Sequence, residues 1–480
     1  MLRTTLVLFA ALASAAPVAA QDGDLRSRVE SVLAAQSAPG TRFGLVVLDD
    51  QGNTVVAINP TQRFIPASNT KMFTTAAAFA VMGDLTQPDT TGGAAVRLEG
   101  RDVVLIGNGD ARLSSAPDCA VDCLATLADA IAKKTRMVGD VIGDDTLFPD
   151  ERWSPGMSWN NIPTRSGTGI SALTLDDNEL VVAVTPAAAG AAPKVELPAY
   201  YTVDNRLVTV SGAKSNIGFD RAPNGYLLRL TGTIGADAKP EVLHVGIDDP
   251  ARYAAWRLGE MLKARGVRVT GKIDVRHRAL MPADDPAVRG DAPPARPPAE
   301  PVLAKLTPPP LIEDVRLTMK VSQNLHAELF LRRISLVSGS GSIADGQRVV
   351  RTMLLSAGAP RTTFDFSDGS GMSTYNRVAP LGAARFLRWV AAQPWGAAWR
   401  DSLPVGGVDG TLAKRFGGTA LDRKLFAKTG TLNATNGLSG YFIAKSGRTF
   451  TFSAYANDVP EGGSATKAMD AALELIASEN

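Results

Sequence analysis

The sequence predicts an α+β fold: one antiparallel sheet built from both ends of the chain and covered by helices, with large β-rich domains inserted between its two halves. Three observations predict it. Strand patterns occur near the start, at 41–49 and 53–58, and again near the end, at 425–430, 440–444 and 449–456. Helical patterns at 24–36 and 465–477 flank those strands, as a helix-covered sheet requires. The long middle of the chain carries its own apolar periodicity and so packs independently. A length of 480 residues suits roughly three domains at about 150 residues each.

Taken in order, residues 1–20 have the form of an export signal. Arg3 supplies the charge, 6–12 the apolar stretch, and Val18-Ala19-Ala20 a small-residue cleavage site before Gln21. No cysteine follows that site, so a lipid anchor is not expected. No later segment is apolar over about 18 residues, which predicts no transmembrane span and an exported, periplasmic, soluble protein. A net charge of +2 argues against nucleic acid as a partner. Asp50-Gln51-Gly52 then turns the first two strands into a hairpin.

Next comes Pro66-Ala67-Ser68-Asn69-Thr70-Lys71, running into an Ala-rich apolar stretch that reads as a buried helix ending near Gly83. Ser68 and Lys71 stand at i and i+3, on one face of one turn. The serine hydroxyl lies near the positive end of the helix dipole. The lysine amine sits among apolar neighbours, and desolvation lowers its pKa toward that of a general base. A capping Ser with a surface Lys would give the same tetrapeptide, so the pair needs partners elsewhere.

Strands at 94–98 and 102–106 flank Glu99-Gly100-Arg101. A helix at 124–134, a strand-like stretch at 136–145, strands at 179–185, 206–211 and 226–233, a helix at 250–265 and a strand at 267–275 complete the insert. The domain reading is a discontinuous catalytic domain over 21–90 and 300–480, with accessory domains over 91–299, one of them nested around 180–235. Residues 282–310 hold ten of the thirty prolines and read as an extended, semi-rigid connector. Helical periodicity over 311–335 is interrupted around Val321-Ser322-Gln323-Asn324, and helices follow at 346–357 and 382–392.

Cys119 and Cys123 are the only cysteines, and either a local disulfide or two free thiols fits. Two thiols without further ligands fall short of a metal site, and no cofactor is expected. The three histidines, His244, His277 and His326, lie in no serine-hydrolase context. Whatever activates Ser68 is therefore not expected to be imidazole, and the histidines read as structural or surface residues.

Two later stretches supply the partners. In Ser322-Gln323-Asn324 a helix break can aim a hydroxyl and an amide into a cleft, although a capping Ser and a turn Asn would give the same tripeptide. In Lys428-Thr429-Gly430-Thr431 strand alternation puts Lys428 and Gly430 on one face and Thr429 and Thr431 on the other. A glycine in a strand marks close approach by another backbone. Ser-x-x-Lys, Ser-x-Asn and Lys-Thr-Gly in that order form the motif set of serine β-lactamases and penicillin-binding proteins. Asp368-Gly369-Ser370-Gly371, Asp409-Gly410-Thr411-Leu412, Leu105 through Asp110, and Ser171-Ala172-Leu173 with Asn178 extend the match. The chain thus resembles the class C low-molecular-mass penicillin-binding proteins, the exported D-alanyl-D-alanine carboxypeptidases and endopeptidases. The separation of 254 positions from Ser68 to Ser322 is similar to that family's layout and unlike that of β-lactamases, which lack the insert.

The resemblance implies a serine transpeptidase/β-lactamase-like catalytic domain acting on peptidoglycan stem peptides, with β-lactams as covalent inhibitors. It assigns Ser68 as nucleophile, Lys71 as base, Ser322 as proton relay and Asn324 as the group that holds Lys71. Lys428, in the charged form, polarises Ser322. Thr429, Gly430 and Thr431 bind the substrate, with the Ser68 and Thr431 N–H groups as the oxyanion hole. Three departures stand out: Gln323 where the family often has Asp, His326 where an aromatic would wall the cleft, and Ala111-Arg112 where Pro-Thr is usual. A β-lactamase-like hydrolase and a catalytically silent cell-wall binder are the alternatives. Carboxypeptidase versus endopeptidase preference and oligomeric state stay open.

Overall fold

The computed structural model describes residues 19–294 and 300–480. The catalytic half begins with α1 (Ala19–Ala35), β1 (Arg42–Leu48), β2 (Thr54–Ile58) and α2 (Thr70–Val81). After the insert it continues with α3 (Leu311–Lys320), α4 (Asn324–Ser335), α5 (Ile343–Ser356) and α6 (Pro380–Ala391). It closes with β3 (Leu425–Leu432), β4 (Thr435–Ile443), β5 (Thr449–Asn457) and α7 (Thr466–Glu479). The leader read over 1–20 lies outside the described residues up to position 18. No helix among the described residues is long and apolar enough to cross a membrane.

The five strands form one sheet in the order β3-β4-β5-β1-β2, antiparallel throughout. The two ends of the chain therefore meet where β5 pairs with β1. Side-chain alternation explains how one sheet holds two helical layers. Leu45 and Val47 of β1 pack with Leu25 and Val29 of α1 and Leu473 and Ile476 of α7. Val46 and Leu48 point the other way, onto Ala384 of α6. On that second face α2 is buried all round, with Met72, Phe73, Ala76 and Ala77 against Phe330, Phe386 and Tyr455. A helix apolar on every side must sit inside, and its alanines let neighbouring helices approach closely.

The insert has a separate core drawn from Ala94 to Leu306. Its main sheet is mixed. Val141–Pro149 runs parallel to both Asp102–Ile106 and Ile273–Arg278, while Ala95–Glu99 pairs antiparallel. The helices Leu124–Lys134 and Pro250–Ala264 cover it, both at the places the sequence predicts. Two readings need correcting. The stretches 136–145 and 267–275 are each two strands, because both backbones turn together where Thr270 and Gly271 hydrogen-bond to Val138 and Gly139. The proline-rich 282–310 is not simply extended. Asp285 caps a helical turn at Pro286–Arg289, and Arg289 pairs with buried Asp345 in α5. Residues 295–299 of that stretch lie outside the described ones. Cys119 and Cys123 are joined in a disulfide.

Candidate active site

Ser68 sits on a short 3-10 turn, Ala67–Asn69, that leads directly into α2. Pro66 introduces the turn, and Ala67 takes a left-handed φ of 48°. That conformation is costly for an alanine and is held by its surroundings. A Cβ on Gly371 would lie 1.9 Å from the Ala67 carbonyl, so only glycine fits there. On the other side, a Cβ on Gly430 would meet the Pro66 carbonyl at 2.6 Å, and Asn69 Nδ2 donates to the Lys428 carbonyl at 3.0 Å. The close approach expected of a strand glycine is thus β3 against the turn that carries Ser68.

Lys71 is wholly buried. Its Nζ donates to Ser68 Oγ at 2.9 Å, to Asn324 Oδ1 at 2.7 Å and to the Ser370 carbonyl at 2.7 Å. Burial pushes its pKa down to about 7, against the opposing pull of the Asp368 and Glu328 carboxylates. When it loses its third proton, the amine can keep two hydrogens for Asn324 and Ser370 and accept from the serine hydroxyl in place of donating to it. That is the geometry a general base requires.

Ser322 follows the end of α3 and adopts a left-handed φ of 65°. Lys428 Nζ donates to Ser322 Oγ and to the Thr429 carbonyl, both at 2.9 Å. Of the residues expected from sequence, Ser68, Lys71 and Asn324 form one hydrogen-bonded set and Ser322 and Lys428 a second, and Lys71 lies near enough to Lys428 to act on its charge. Thr429 and Thr431 lie on the less buried face of β3, and Thr429 donates to Thr411 Oγ1 at 2.7 Å. The sequence reading keeps Lys428 charged. Burial, with Lys71 nearby, instead pushes its pKa well below the ordinary lysine range. An incoming carboxylate would counter that push.

Sequence reasoning missed the groups that surround Lys71. Glu328, one turn beyond Asn324 on α4, accepts the Gly369 and Ser370 N–H groups at 3.0 and 2.8 Å. This shapes the loop whose carbonyl takes Lys71. Burial and neighbouring Asp368 raise its pKa to about 7. A carboxylate within Leu-His-Ala-Glu-Leu-Phe-Leu, at helical spacing from Asn324, was the available signal. His326 does not wall the cleft. It is buried between Asp177 (3.0 Å) and Asp314 (3.3 Å), and those two carboxylates outweigh burial and raise its pKa to about 9.

The insert also reaches the site. Asn324 Nδ2 donates to the Ser166 carbonyl at 3.1 Å, and Gln323 Nε2 donates to Asp177 at 3.3 Å. Beside Asn324 and Ser370 a pocket opens, walled by Arg152, Trp153, Met157 and Thr168 of the insert and by Met372.

Residues 25–480 match the model of the D-Ala-D-Ala carboxypeptidase 3 (S13) family. The D-alanyl-D-alanine carboxypeptidase of Actinomadura sp. (strain R39) is 33% identical over 444 residues, covering 87% of this chain and 78% of that protein. Penicillin-binding protein 4 of Haemophilus influenzae has a crystal structure that superposes with a TM-score of 0.75 at 22% identity, covering 90% of this chain and 94% of that one. A second crystal structure of that protein, complexed with a β-lactam, superposes at 0.69 with 20% identity over the same shares. Both structures share this fold.

Proposed function

The chain belongs to the D-Ala-D-Ala carboxypeptidase 3 (S13) family and is a serine-type D-alanyl-D-alanine carboxypeptidase; from that premise we propose that Ser68 carries the acyl group and that Lys71 is its base. The observation that supports this best is the Lys71 amine, fully buried, 2.9 Å from Ser68 Oγ and with its pKa brought to about 7. Ser68 Oγ attacks the carbonyl carbon between the two terminal D-alanines of a peptidoglycan stem peptide, and its proton passes to Lys71. The C–N bond breaks, and the leaving amine takes a proton from Lys71 by way of Ser322. Water then attacks the ester and frees Ser68.

β3 is the edge strand of its sheet; the outer backbone row of its first half is taken by Pro404 and Gly406, which leaves the end carrying Thr429 and Thr431 to pair with an extended substrate. The Ser68 and Thr431 N–H groups serve as oxyanion donors, each worth roughly 3 kcal/mol in acyl transfer. Lys428, Thr429 and Thr431 receive the terminal carboxylate, and this anion restores the charge of Lys428. A β-lactam ring presents the same acyl carbon. Opening its C–N bond leaves an ester on Ser68, which makes it a covalent inhibitor. The catalytic domain is proposed to comprise 21–90 and 300–480 around the inserted 91–299, with Ala304–Lys305 and Leu306 packed onto the insert, in a protein exported to the periplasm.

The test is D-alanine release from a stem-peptide mimic, with penicillin labelling as the parallel readout. Digestion of cross-linked and uncross-linked muropeptides, weighed by mass spectrometry, separates endopeptidase from carboxypeptidase action. A wild-type protein that neither releases D-alanine nor takes up penicillin would overturn the assignment.

A further inference from the structure

Four of the chain's seven tyrosines, Tyr200, Tyr201, Tyr226 and Tyr253, gather with Trp256 on the insert. Tyr200 is central, with ring centroids 5.5 Å from Tyr226, 5.1 Å from Tyr253 and 5.4 Å from Trp256. An ordinary core would bury all five. Here Tyr201 and Tyr253 are buried, Tyr200 and Trp256 are half-buried, and Tyr226 is 43% exposed. Tyr200, Tyr226 and Trp256 line an open groove with Arg252. Tyr200 and Tyr226 also wall an adjoining pocket with Arg221, Asn224, Asp248 and Asp249. Arg221 is buried and clamped by Asp248, with Nη1 at 2.6 Å, and its Nε has no partner among the described residues.

Ring faces framed by fixed donors and acceptors suit one ligand chemistry above others. The C–H faces of a pyranose stack on the rings, and its hydroxyl and acetamido groups take the hydrogen bonds. A purely apolar ligand would leave the Arg221 Nε–H without an acceptor. A nucleic acid strand would stack equally well but would bring phosphates against Asp248 and Asp249.

The smaller pocket shares Tyr200 and Tyr226 with the groove and is linked through Arg152 to the pocket beside Asn324. Asp249, in the wall of the smaller pocket, pairs with Arg152 at 3.6 Å, and Arg152 also donates to the Asp248 carbonyl at 2.9 Å. The same Arg152 walls the pocket beside Asn324 and Ser370. One ion pair thus stands between the smaller pocket and the pocket beside Asn324, a path along which a polymer with its side branch in the cleft could continue toward the groove.

We propose that the Tyr200–Tyr226–Trp256 groove binds a strand of N-acetylated amino sugars, the glycan from which the stem peptide hangs. This rests on the peptidoglycan reading above. The test titrates the full-length mature protein with chitotetraose, a β-1,4-linked tetramer of N-acetylglucosamine, and follows heat and tryptophan fluorescence. Penicillin labelling of the same sample reports the state of Ser68 separately. Saturable binding is expected, weakened by about tenfold or more in Tyr226→Ala and largely retained in Tyr226→Phe, which keeps the ring. Melting curves of both variants confirm folding, and should Tyr226→Ala fail to fold, Tyr226→Leu replaces it. A wild type that takes up penicillin but shows no saturable binding overturns the proposal. So does unchanged affinity in the ring-less variant, or displacement of the sugar by a sugar-free stem peptide. Loss of penicillin uptake alone would count against the functional reading and leave the sugar titration to stand.

Discussion

Lys71, on the first turn of α2, and Lys428, on the edge strand β3, are both wholly buried, yet their company differs. Lys71 faces the Asp368 and Glu328 carboxylates, which offset part of the desolvation, so its pKa comes down only to about 7. Lys428 has Lys71 as its charged neighbour, and both burial and that charge act downward. Equal burial thus yields two different groups. One is poised to exchange a proton near neutral pH. The other regains its charge when an anion arrives. The neighbours, more than the depth, divide the labour.

The predictions test that division, beginning with the largest effect. Ser68→Ala is expected to abolish penicillin labelling while leaving the melting temperature unchanged, and persistent labelling would move the nucleophile elsewhere. Lys71→Ala is expected to slow acylation by about 10³-fold, within the range for loss of a general base. Lys428→Ala is expected to act mainly through KM, by roughly tenfold to a hundredfold, because it removes a carboxylate anchor. Stopped-flow acylation with a chromogenic β-lactam and steady-state peptide kinetics separate the two. Indistinguishable kinetic signatures would erase the contrast between the lysines.

Glu328→Gln sharpens the comparison. The base form of Lys71 fills in above its pKa, so the rate rises with pH through about 7. Removing a carboxylate that favours the ammonium lowers that pKa. The acid limb of the kcat/KM profile should move to lower pH, by roughly one unit or less, since the interaction is a single charge–charge term. A limb that stays in place would make Glu328 a loop anchor only.

The smallest effect concerns the contact between insert and catalytic half at His326. Its folded pKa, about 9, lies above the ordinary 6.5. The stabilisation from Asp177 and Asp314 is therefore complete below about pH 6.5 and is lost as pH rises through 9. Thermal unfolding should show the melting temperature falling by about a few degrees across that window, a slope that His326→Asn reduces, the remainder coming from His277, which Asp145 and Asp249 raise to about 10. An unchanged slope in the variant would assign the pH dependence to other groups.

Much of the site was legible in the chain itself because its parts are local. The i, i+3 spacing of Ser68 and Lys71 is a property of one helical turn. The break between α3 and α4 at Ser322 and the alternation along β3 around Lys428 are likewise set by short-range backbone geometry. The strand patterns near both ends, flanked by terminal helices, likewise pointed to one helix-covered sheet built from both ends.

Tertiary structure alone decided what surrounds those parts. It placed Glu328 and Asp368 near Lys71, set Asp177 of the insert against His326, and put the tyrosines beside Trp256. It also made the insert's main sheet mixed, a matter of which strands meet across long crossovers. Burial and charge are sums over neighbours distant in sequence. A lysine's spacing from its serine can be read along the chain, whereas its pKa takes form only once the chain has packed around it.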